Sequence, residues 1–76
     1  MDWHEAVHNA IDRYTLRHGA RAFTRQGLLD EELAQITGDT NSLGATPEQT
    51  LSRILQEMRD DGEVEFVDND GSYRRL

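Results

Sequence analysis

The sequence predicts a mainly α domain with a small terminal β-hairpin, an α+β chain of three helices followed by two strands. Three observations carry this: apolar residues recur at helical spacing in three stretches, glycine or capping residues bound each stretch, and the last 14 residues alternate around a turn. With 76 residues, the chain is expected to form one domain, residues 1–76, without a second lobe.

Asp2, with Glu5 three residues on, starts the first helix, and Trp3, Val7, Ala10, Ile11 and Tyr14 supply its apolar face from Trp3 to His18. Gly19 stops it. Arg21-Ala22-Phe23 is long enough for a short strand or extended link, and Thr24 caps a second helix over 25–36, where Leu29, Leu33 and Ile36 share a face. Residues 37–46, TGDTNSLGAT, read as a loop. In Thr46-Pro47-Glu48-Gln49 a capping hydroxyl, a proline at the first helical position and a glutamine three residues after the cap mark a helix start. Leu51, Ile54, Leu55 and Met58 then repeat at i, i+3, i+4, i+7, giving a third helix over 47–61 that Gly62 ends. The alternating run 63–67, the turn chemistry of 68–71 and the return 72–76 form a hairpin. A four-residue loop sets Phe66 opposite Tyr73 and Glu65 opposite Arg74, placing an aromatic pair on one face and an ion pair on the other.

Composition limits the function. There is no cysteine, which excludes disulfide scaffolds, thiolate zinc sites and thiol nucleophiles. No apolar run approaches membrane-span length and the N-terminus lacks a signal-peptide pattern, so a cytoplasmic protein without a membrane partner is expected. The net charge is −7, and all eight basic residues are arginine, a composition of the haloarchaeal type that keeps a surface soluble in concentrated salt. Residues 1–27 carry +1 and the rest −8, an acidity that argues against tight electrostatic capture of nucleic acid.

The order helix, short extended segment, helix, loop, capped helix, hairpin is that of a winged helix-turn-helix. Its end, LSRILQEMRDDGEVEFVDNDGSYRRL, resembles the winged-helix domain that closes DpnI-like, methyl-adenine-dependent restriction endonucleases, through Leu51, Leu55, Met58, Arg59, Asp60, Gly62, Val64, Glu65, Phe66, Gly71 and Tyr73. Upstream, Phe23, Leu33 and Ile36 fit less distinctively, and the likeness covers residues 23–76. It implies binding of double-stranded DNA through the third helix and the wing. Methyl-adenine reading by an aromatic is not carried over, because the third helix has none and Trp3 lies on the first.

Within that frame, Gln49, Thr50, Arg53 and Gln56 are the candidate base-reading residues, since arginine and glutamine bond bidentately to guanine and adenine edges. Thr46 and Arg74 are candidate phosphate contacts. The same polar residues also suit an ordinary solvated helix face. Asp68-Asn69-Asp70 at the wing tip would meet phosphate with like charge, which favours the alternative of a protein-interaction module without DNA binding. Arg13, Arg17, Arg21 and Arg25 are read as charges partnering nearby carboxylates. Trp3 serves either as core or as the anchor of a homodimer through the first helix.

His4-Glu5-Ala6-Val7-His8 is a literal H-E-x-x-H, the zinc ligands and general base of many metalloproteases, with Glu31 or Glu32 as a nominal third ligand. It lies in the first turns of a terminal helix, on a chain too short for a substrate cleft. No catalytic residue, metal or cofactor is therefore expected.

Overall fold

A computed structural model describes residues 1–41, 46–67 and 71–76. The chain runs α1 (Trp3–His18), β1 (Ala22–Thr24), α2 (Arg25–Glu31), α3 (Leu33–Thr40), α4 (Pro47–Asp60), β2 (Val64–Phe66) and β3 (Ser72–Arg75). It is mainly helical with a three-stranded antiparallel sheet in the order β1-β3-β2. None of the described helices is long and apolar enough to cross a membrane.

α1 begins where the sequence places it: the Glu5 amide donates to Asp2 Oδ1 at 2.8 Å. It buries Ala6, Val7, Ala10 and Ile11 and ends at left-handed Gly19. α4 buries Leu51, Ile54, Leu55 and Met58 against it. Phe23, Leu28, Ile36 and Val64 complete the core, with Trp3 and Tyr14 packed on it. Gly62 turns the chain from α4 into β2 at φ 79°, a left-handed value that costs other residues strain.

The second helix departs from expectation. In place of one helix over 25–36, the described residues form two helical segments that meet at a bend at Glu32 (φ −120°, ψ −9°). The hydrogen-bond ladder survives the bend: the Glu32 amide donates to Leu28 O (2.8 Å) and the Ile36 amide to Glu32 O (2.9 Å). The side chain of Glu32 turns inward there to meet α1. The helix also outlasts its expected end. Thr37 to Thr40, read as loop, form the last turn of α3, supported by Gln35 donating to Asp39 Oδ1 (2.8 Å) and by left-handed Asn41 as its cap.

The hairpin pairs in the expected register, Phe66 with Tyr73 and Glu65 with Arg74. The two-stranded wing becomes a three-stranded sheet because β1 lies along the other edge of β3, Phe23 opposite Tyr73. An aromatic row thus crosses the sheet, Phe23 to Tyr73 at 5.5 Å and Tyr73 to Phe66 at 5.0 Å between ring centres. Burial falls along the row, from 1% exposure at Phe23 to 46% at Phe66. The aromatic pair of the hairpin is therefore only half covered.

Candidate nucleic-acid interface

α4 packs its apolar stripe inward, so helical geometry sets Gln49, Arg53, Gln56 and Asp60 on the opposite side, and all four are exposed. Three of the residues expected to read bases thus share one face. Thr50 lies at its margin, half-buried, with its hydroxyl donating to Thr46 O at 3.4 Å. Arg53 reaches along the helix to Glu57 at 3.1 Å, an exposed i, i+4 ion pair.

The start of α4 is built differently from the capping box the sequence suggests. Thr46 is exposed, but its hydroxyl makes no cap bond; its carbonyl instead accepts from the Gln49 and Thr50 amides at 3.1 and 3.2 Å. Its ψ of 68° departs from the extended geometry in which a capping hydroxyl reaches those amides.

Arg74 is exposed and bonded to Glu65. Register puts both, with Ala22, on the sheet face opposite the aromatic row. Because α4 meets the sheet at that row, through Arg59 lying 5.6 Å over the Phe66 ring, Arg74 stands on the other side of the sheet from the α4 contact. Asp68-Asn69-Asp70, expected at the tip of a wing, lie outside the described residues.

Two further arginines border this face, Arg25 from α2 and Arg59 near the end of α4 itself. Arg25, at the start of α2, crosses to α4, where its Nε donates to Ser52 Oγ at 2.5 Å. Its backbone amide donates to Gly71 O at 3.2 Å, fixing the same residue to the hairpin. Ser52, Gln56 and Arg59 follow one another at i, i+4, i+7 along the flank of α4 toward the sheet, so Arg25 and Arg59 mark its two ends. The i, i+4, i+7 spacing is legible in the sequence. The crossing of Arg25 is not, because it depends on how α2 packs.

Of the four arginines expected to partner carboxylates, Arg13 and Arg17 do so, whereas Arg25 bonds Ser52 instead. Arg13 Nε lies 2.8 Å from Glu32 Oε1, Arg17 bonds the same carboxylate, and Arg17 and His18 meet Glu31 at 3.2 and 3.0 Å. Glu31 and Glu32 are thereby committed to the far end of α1 and do not approach His4. The two histidines of the H-E-x-x-H also part: His4 Nε2 meets Glu63 Oε2 at 2.7 Å, whereas His8 Nε2 accepts from Arg75 Nη2 at 2.7 Å. A guanidinium beside His8 disfavours a shared cation there.

No family model, curated protein or solved structure matches the chain.

Proposed function

We propose that the chain is a small, non-catalytic DNA-binding domain of the winged helix-turn-helix type, with α4 as its recognition helix. The observation that carries the reading is the solvent-facing row of Gln49, Arg53 and Gln56 on α4, with Arg25 and Arg59 beside it and Asp60 at its far end. The element order, with β1 laid against the hairpin, supports the same reading. Gln49, Thr50, Arg53 and Gln56 would meet base edges in the major groove, and Thr46, Arg74 and, in addition, Arg25 would meet phosphates.

Magnitudes decide whether the intramolecular ion pair of Arg53 opposes this role. An exposed i, i+4 pair is worth about 0.3–0.5 kcal/mol, whereas a bidentate arginine–guanine contact discriminates by about 1–3 kcal/mol. Exchange of Glu57 for guanine is therefore favourable. The net charge of −7 makes the long-range field repulsive, so affinity rests on local contacts and few phosphates. A shallow salt dependence follows, with a slope of about −0.9 per phosphate contacted.

Arg53→Ala is expected to weaken binding to a duplex selected from a random pool by about 1–3 kcal/mol, measured by fluorescence anisotropy. An unchanged affinity in the folded variant removes Arg53 from the interface.

The second reading, a protein-interaction module, is favoured by the groove lined by Leu16, Ala20, Leu76, Arg21 and Arg75, and by the pairing of both Arg53 and Arg74 with carboxylates. A homodimer through α1 would rest on Leu16, which is 85% exposed, because Trp3 packs on the core.

A further inference from the structure

His4 leaves the H-E-x-x-H pattern for a different set of partners. Its imidazole, on the first turn of α1, stands with the carboxylates of Asp61 and Glu63, and one ligand atom from each of the three lies within 4.8 Å of the others. Two chain segments far apart in sequence meet here.

The backbone that carries the two carboxylates is held by hydrogen bonds to the last turn of α4. Past the end of α4, the Gly62 amide donates to Arg59 O (3.1 Å) and the Glu63 amide to Met58 O (2.9 Å). This double closure, with Gly62 left-handed, locks the turn that carries Asp61 and Glu63 on either side of the glycine. His4 is fixed in turn by α1, whose next residues toward the core, Ala6 and Val7, are fully buried.

We infer that His4, Asp61 and Glu63 form a binding site for a borderline divalent transition ion of the zinc class, joining the start of α1 to the turn between α4 and β2. One imidazole nitrogen and two carboxylates match zinc(II), with remaining positions left to water, whereas magnesium and calcium prefer all-oxygen ligand sets. Ligand bonds of about 2.0–2.2 Å at tetrahedral angles separate neighbouring ligand atoms by about 3.3 Å. The 2.7 Å contact of His4 with Glu63 needs only a small opening to admit an ion, which takes the place of the hydrogen between them. His4 and Glu63 are each about one-third exposed, at 38% and 35%, so the ion can enter from solvent. The site differs from the metalloprotease arrangement in its ligands: His8 is turned to Arg75 and Asp12 and takes no part.

The test is a calorimetric titration of the whole chain with zinc chloride, beside His4→Ala, the double variant Asp61→Asn/Glu63→Gln, and His8→Ala, each checked for folding by circular dichroism. The expected result is 1:1 binding, weakened at least tenfold by His4→Ala and by the carboxylate pair, unchanged by His8→Ala, and not reproduced by magnesium chloride. All of the substituted groups are solvent-accessible, so loss of fold does not stand in for loss of ligand. No zinc binding by the folded parent would overturn the inference. So would a loss in His8→Ala equal to that in His4→Ala, or full affinity in the carboxylate double variant.

Discussion

Replacing Arg13 and Arg17 together with alanine is expected to lower stability by about 3–5 kcal/mol, the range found when a buried charge loses its partner. The reason lies in unequal burial. Glu32 is 4% exposed, while the two arginines that reach it from α1 are about half exposed. Removing the carboxylate lets both guanidinium groups swing into water, so Glu32→Ala should cost less, about 1–3 kcal/mol. Removing the guanidinium groups instead strands a carboxylate between helices. Adding Glu32→Leu to the double arginine variant should then recover most of the loss, since an apolar side chain in a buried ion-pair site is often neutral or stabilising. The arrangement is not fully satisfied even in the parent, where Arg13 Nη2 is buried without a hydrogen-bond partner among the described residues. Urea unfolding of the four proteins distinguishes this account from a surface-pair explanation, in which all changes stay within about 1 kcal/mol.

Gly27→Ala is expected to destabilise by about 1–3 kcal/mol, the usual cost of forcing extra volume into a packed site. Helix propensity alone predicts a gain of about 1 kcal/mol at a helical glycine, so the sign is diagnostic. A β-carbon at position 27 would sit 2.5 Å from the Tyr14 hydroxyl and 2.8 Å from both Tyr14 Cζ and Thr24 Oγ1. Neither neighbour yields freely. Tyr14 packs on the core and against His18, and the Thr24 hydroxyl accepts the Gly27 amide at 2.8 Å to cap α2. Tyr14→Phe removes the nearest contact but leaves the ring carbon in place, so it relieves the clash only in part. Thermal unfolding of the Gly27→Ala protein checks the prediction; a raised midpoint would show that α2 can move away from Tyr14.

Gly27 also illustrates where sequence reasoning stops. Within a helical pattern it reads as a tolerated weakness, because the reason for it belongs to Tyr14 on another helix. Local signals fared well where the cause was local: the cap at Asp2, the stop at Gly62 and the facing of Phe66 on Tyr73 all follow from neighbouring residues. The bend at Glu32 and the pairing of β1 with β3 were not legible, since each depends on a partner contributed by another element. The same division runs through the candidate interface. Periodicity suffices to align Gln49, Arg53 and Gln56, and hairpin register to set Arg74 with Glu65 on the face away from the aromatic pair, while the bond from Arg25 to Ser52 follows from tertiary packing. For the H-E-x-x-H pattern, spacing places His4 and His8 one turn apart but says nothing of Glu63 and Arg75, which draw them to different partners.

The central claim is that α4 reads DNA, and a chemical-shift titration of the isotope-labelled chain with mixed short duplexes tests it most directly. It should be run at low and at molar salt, with folding verified in each. Perturbations are expected to concentrate at residues 46–56, together with Arg25 and residues 72–75, and to be weaker at the exposed end of α1 around Leu16. Absence of perturbation in both folded conditions, or shifts confined to Leu16, Ala20 and Leu76, would contradict the claim and leave the protein-partner reading in its place.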